Sequence, residues 1–165
     1  MIYINARAII EREVNGDVEI VIQARNKPYD TRKPLELPGG RIEEFESILD
    51  ALRREVYEET GLTVTAVEGQ ETRLVDAQQD TETEVLVPFA AYQTTRGPID
   101  SMGLYFRCQA EGELLDSGDA SEDIRWINVK ELAQWIKDDS DQFSWVDRAG
   151  MIYYLKHIGV WIDDH

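Results

Sequence analysis

The sequence predicts an α/β (α+β) fold, with a β-sheet flanked by helices. Three observations predict it. Ile- and Val-rich runs recur between turn signals. One stretch, 46–60, lacks Gly and Pro and has helical spacing. Strands and helices then follow one another in mixed order, which suits a sheet with helices packed on it.

The elements follow in order. Residues 2–13 and 17–25 are rich in Ile and Val and flank Asn15-Gly16, the signature of a β-hairpin. Residues 26–40 carry Asn26, Pro28, Asp30, Pro34, Pro38, Gly39 and Gly40 and are expected to form a loop. The helix over 46–60 should end at Gly61, since glycine tolerates the left-handed position after a helix. Strands are expected over 63–75, 84–93, 101–110 and 123–129, and helices over about 129–138 and 143–158.

At 165 residues the chain fits a single domain, 1–165, and its 42% hydrophobic content is enough for a core without disulfides. The single cysteine, Cys108, cannot form an internal bridge and favours a reducing setting. His157 and His165 are not spaced as zinc ligands. Met1-Ile2-Tyr3-Ile4 lacks the basic start and long apolar run of a secretory leader, and no run is long enough to span a bilayer. A cytoplasmic protein without a membrane partner is therefore expected. The formal net charge of −16 argues against nucleic-acid polymers as partners. It also repels small anions, so a phosphate substrate would require local cations or a bound metal.

The helix carries the chemistry. At about 100° per residue, with Glu55 at 0°, Glu58 falls near −60° and Glu59 near +40°, so three carboxylates share one flank. Ile48, Leu49, Leu52 and Val56 fall between about 20° and 120° and form the stripe that packs on the sheet. Asp50, Arg53, Arg54 and Tyr57 occupy the far side. Like charges three and four residues apart destabilise a helix unless something neutralises them. With oxygen ligands only, magnesium, manganese or calcium is favoured over zinc. A solvated acidic face in an acidic protein is the commoner explanation of such a run when it stands alone.

It does not stand alone. The chain reads Gly40, five residues, Glu46, seven residues, then Arg54-Glu55-Val56-Tyr57-Glu58-Glu59-Thr60-Gly61-Leu62. This resembles the complete signature of the Nudix hydrolase family, and Pro38-Gly39-Gly40 before it fits as well. The resemblance implies an α/β/α sandwich and a Mg2+-dependent hydrolase, with Mn2+ as substitute. It would cut a pyrophosphate bond in a nucleoside diphosphate linked to another group. That group makes it a nucleoside triphosphate, including oxidised dGTP, or an ADP-ribose-like compound. The competing reading is a non-catalytic module that senses nucleotides.

By the same resemblance Glu55, Glu58 and Glu59 are the carboxylate ligands and the Gly39 carbonyl a further one. Arg54 orients a catalytic glutamate. Glu46 opens the helix, where the dipole favours an acid, and either is structural or supports the site. The general base is a signature glutamate or a loop acid, for which Glu122 is the candidate, against a surface turn acid. Arg25 is the preferred substrate-phosphate ligand over Lys27, Arg32 and Lys33. Tyr29, Tyr92, Tyr105 and Phe106 are candidates for stacking on a base, although alternate strand positions usually face a core. Trp135, Trp145, Trp161, Tyr153 and Tyr154 either form a homodimer contact or fill the core at helical spacing.

Overall fold

The computed structural model describes residues 1–163, so His165 lies outside the described residues. The chain opens with β1 (Tyr3–Val14) and β2 (Asp17–Arg25), an antiparallel pair closed between Val14 and Asp17. Asn15 and Gly16 both have positive φ, 51° and 84°, as the tight turn expected there requires. The expected loop over 26–40 is interrupted by β3 (Leu35–Glu36), and β4 (Gly39–Arg41) begins before its end. These are too short to show a period in the sequence, and they exist because β2 and β1 offer them a ladder.

Helix α1 (Ile48–Thr60) starts two residues later than expected, with Ser47 as its N-cap and left-handed Gly61 as its C-cap. Glu46 therefore lies outside the helix. The strand expected over 63–75 breaks into β5 (Thr63–Val67) and, beyond a one-turn helix, β6 (Leu74–Ala77). The run over 84–93 divides at Pro88 into β7 (Glu82–Val85) and β8 (Ala90–Gln93). Then come β9 (Ser101–Glu111), β10 (Ser117–Gly118), β11 (Ser121–Asn128), α2 (Val129–Asp138) and α3 (Trp145–His157).

The main sheet runs β10-β11-β2-β1-β9-β5, with β3 on β2, β4 on β1 and β8 on β9. β1 and β9 are parallel and the other pairs antiparallel, so the sheet is mixed. β6 and β7 form a separate hairpin. Side chains alternate between two cores. Ala6, Ala8, Ile10, Val21 and Phe106 meet Leu49, Leu52 and Val56 of α1 on one face. Ile9, Ile20, Ile22 and Tyr105 meet Leu132, Ile136, Met151 and Tyr154 of α2 and α3 on the other. The expected helix–sheet–helix layering is thus present. Both faces are buried over residues 8–10 of β1 and 20–22 of β2, which is why apolar residues are consecutive there. No helix among the described residues is long and apolar enough to cross a membrane.

Candidate active site

The α1 stripe packs on the sheet as its period requires, and the three acids fall on graded ground. Glu58 is exposed, Glu55 is half-buried, and Glu59 is only 6% exposed. Arg54 binds three acids together. Its Nε and Nη2 donate to the two oxygens of Glu46 at 2.8 and 2.9 Å, and Nη1 donates to Glu55 at 2.9 Å and Glu58 at 3.4 Å. Nη2 also donates to the Arg41 carbonyl at 3.2 Å. The Glu46 hydrogen bonds, then those of Glu55, raise the already high pKa of Arg54, and Arg54 in turn holds Glu46 below the usual carboxylate range. The placement of Glu46 corrects the helix-dipole account. It lies before the N-cap, and its bidentate grip on Arg54 accounts for it instead.

Two glycines set the other wall. A Cβ on Gly40 would lie 2.5 Å from the Glu55 carboxyl carbon, so the carboxylate rests against the β4 backbone. A Cβ on Gly39, at φ 149°, would lie 2.4 Å from the Ala6 carbonyl oxygen. Only glycine allows both approaches at once.

Glu59 faces a polar group buried inside the α1 side of the sheet. Gln23 Nε2 donates to Glu59 and, at 3.4 Å, to Glu36, its cross-strand partner. Arg25 Nε and Nη2 grip Glu36 at 2.9 and 2.8 Å. Burial, then the charge of Glu36, pushes the Glu59 carboxyl up to about 9, against the pull of Arg7 and Gln23. The charges of Glu36 and Glu55 both disfavour an ionised Glu59, a field that a hard divalent cation would relieve. Among the described residues no three acids already face one common point, so the ligands do not form a ready cage. The donor set nevertheless fits magnesium or manganese: it is all oxygen, crowded with negative charge, and beside a backbone stripped of side chains at Gly39 and Gly40.

The structure brings Arg54, Glu55, Glu58, Glu59, Gly39 and Arg25 to this side. It does not bring Glu122 there. Glu122 pairs across β11 and β2 with Ala24, whose side chain faces the α2–α3 core, and its carboxylate meets Lys33 at 2.6 Å. Both line a cleft with Arg125 and Trp135. Tyr105 and Phe106 are buried and closed to a ligand. Tyr92 is half-buried beside Asn5 and Ser101, and Tyr29 is exposed. Sequence reasoning missed Gln23, Glu36, Arg7 and Asp147. The available signal was a polar residue inside an apolar strand, as in Ile22-Gln23-Ala24 and Leu35-Glu36-Leu37.

With the geometry in place, comparison with known proteins is informative. The NUDIX domain family model matches residues 3–148. No curated protein sequence matches the chain. Among solved structures, the E. coli ORF135 protein aligns with TM-score 0.63 and 19% identity, over 99% of this chain and 95% of that one. The NUDIX domain of Shewanella oneidensis NrtR, complexed with ADP ribose, aligns with TM-score 0.56 and 16% identity, over 81% and 77%. A bifunctional NMN adenylyltransferase/ADP ribose pyrophosphatase from Francisella tularensis gives 0.59 and 19%, over 95% of this chain and 41% of that one.

Proposed function

We propose, given that this chain belongs to the Nudix hydrolase family, that it cleaves a pyrophosphate bond in a nucleoside diphosphate linked to another group, with magnesium as cofactor. The observation that carries this is the acid set itself. Glu55 and Glu58 are tied through Arg54 to Glu46, Glu55 rests against Gly40, and Glu59 is buried within reach of the charges of Glu36 and Glu55. A charge cluster this unfavourable in isolation fits a protein that holds a dication. The metal, held by Glu55, Glu58, Glu59 and the Gly39 carbonyl, would neutralise the diphosphate and acidify a bound water.

The chain's own residues do the rest. Arg54 pairs with Glu55 at 2.9 Å and, more loosely, with Glu58 at 3.4 Å, and so orients them. A glutamate of α1 accepts a proton from the attacking water, and the side chain best placed for this is Glu58, which is open to solvent and only loosely held by Arg54 at 3.4 Å. Glu122 is a less suitable base on this reading, because it faces away and is neutralised by Lys33. Arg25 lies at the mouth of the same face, where it would exchange part of its grip on Glu36 for a substrate phosphate.

The substrate is a nucleoside triphosphate, oxidised dGTP included, or an ADP-ribose-like compound. That a structurally similar domain holds ADP ribose supports putting the latter first on the panel. The test is a nucleotide panel with magnesium, read as released monophosphate, pyrophosphate or phosphate. Turnover is expected on at least one member and should fall by orders of magnitude in Glu58→Gln and Glu59→Gln with the fold intact. Tight nucleotide binding without metal-dependent turnover on any member would replace this reading with the sensor.

A further inference from the structure

We infer that the buried Arg7–Asp147 pair is a positioning device that fixes the Leu37-Pro38-Gly39 segment, and through it the Gly39 carbonyl, for metal binding. The inference rests on the reading of Gly39 as a ligand. Asp147 belongs to α3, on the side of the sheet away from the catalytic helix, and is 0% exposed. Its Oδ2 accepts the Leu37 N–H at 3.1 Å, while Arg7 Nη1 donates to the Leu37 carbonyl at 3.2 Å. Arg7 Nη1 and Asp147 Oδ2 lie 3.4 Å apart. The two ions thus close a ring around a single residue, holding both backbone polar groups of Leu37. The next carbonyl, of Pro38, accepts the Ala8 N–H at 2.8 Å, and Gly39 is the strand partner of Arg7 itself. Three successive polar groups are therefore fixed immediately before the Gly39 carbonyl.

The arrangement is poorly explained as a source of stability. A buried ion pair is often no better than an apolar pair of the same volume, because desolvation offsets the attraction. This one also leaves Asp147 Oδ1 and Arg7 Nε without partners among the described residues, which adds cost. What two ions provide and two leucines cannot is simultaneous capture of an N–H and a C=O. The neighbouring contacts point the same way: the Ser144 N–H donates to the Leu35 carbonyl at 2.8 Å, and Phe143 bridges to Leu35. The start of α3 is docked along the whole approach to Gly39.

The experiment measures Mn2+ binding by water-proton relaxation, and Mg2+ half-saturation of turnover, in the full chain. For Asp147→Asn both constants should weaken roughly tenfold or more, as expected when a group that orients a ligand is lost. KM for the nucleotide at saturating Mg2+ should stay within about twofold if substrate contacts are untouched. Arg7→Lys, which keeps the charge but lacks the fork, should weaken both less. Tyr154→Phe removes the hydrogen bond from α3 to Glu11 and should lower Tm with metal binding unchanged. A folded Asp147→Asn that binds Mn2+ like wild type overturns the inference, as does Tyr154→Phe weakening Mn2+ to the same degree. Should Asp147→Asn fail to fold, hydrogen exchange in the wild type decides: a Leu37 amide exchanging at the rate of an exposed loop overturns the inference, and protection matching the β1–β2 ladder supports it. A wild type that neither binds Mn2+ nor turns over any nucleotide refutes the proposed function instead.

Discussion

Single residues at this site are legible from their surroundings rather than their type. Glu55, Glu58 and Glu59 are chemically identical, yet one rests on a glycine backbone, one is open to water and one is buried among other acids. Cys108 shows the opposite case, a reactive type in an inert place. It is 3% exposed, and burial, then the charge of Glu11, pushes its thiol up to about 12. At pH 8 almost no thiolate forms, and thiolate is the reacting species. Native protein should therefore resist iodoacetamide at pH 8 over a period in which urea-unfolded protein is fully alkylated, as counted by intact mass. Rapid labelling of the native chain would show that β9 opens locally. Because a folded chain keeps Cys108 in the α1-side core, no step of the proposed hydrolysis involves it.

At the scale of elements, α1 is held at both ends by segments remote in sequence. Ser47 is its N-cap but makes no capping hydrogen bond of its own to the helix. Glu84 of β7 serves instead, accepting from the Ile48 N–H at 2.8 Å and the Ser47 hydroxyl at 3.1 Å while Arg73 donates to it at 2.8 Å. At the other end the Glu58, Glu59 and Thr60 carbonyls accept from the Asp119 N–H, the Ser121 hydroxyl and the Leu115 N–H. Gly118 is pressed so closely on the Glu59 carbonyl that a Cβ would sit 2.2 Å away. Loss of the N-terminal contacts in Glu84→Ala should cost about 1–2 kcal/mol at pH 7, in the range of a lost cap. Partial burial pushes the Glu84 carboxyl up, but the Ile48 N–H, Arg73 and Ser47 outweigh it and hold the group below its ordinary 4.5. A lowered folded-state pKa means that the stabilisation is complete above 4.5 and is lost as pH falls through the folded value. The urea-unfolding gap between wild type and Glu84→Ala should therefore close in acid; a gap that persists at pH 3 would assign it to packing.

These long-range caps mark where sequence reading stopped. The β1–β2 hairpin, the α1 period, its Gly61 stop and the span of α2 were all legible, because each is encoded within a few consecutive residues. The one-sided acid flank of α1 was legible for the same reason. The short strands β3 and β4, the break at Pro88 and the capping by Glu84 depend on partners many residues away. Glu122 was chosen for its position in a polar turn. Which face it takes is set by the β11–β2 register, with a bulge between Glu122 and Arg125 that a single sequence does not show.

For the molecule as a whole, the governing fact is a net charge of −16 around a site proposed to take an anion. The two arginines assigned to the site do not offset it, since Arg25 is held by Glu36 and Arg54 by Glu46, Glu55 and Glu58. On the proposed function, a nucleotide would approach against a repulsive field until it reached the metal. Enzymes that steer substrate by opposite charge lose kcat/KM as salt rises. Here the sign is reversed. Raising monovalent salt from about 10 mM to about 150 mM shortens the screening length from roughly 30 Å to roughly 8 Å. At saturating Mg2+, kcat/KM should then rise several-fold while kcat, set by contacts inside the site, stays level. A fall in kcat/KM over that range would mean that a local positive path outweighs the global charge, and Lys33 and Arg125 in the cleft beside Glu122 would be the first residues to neutralise.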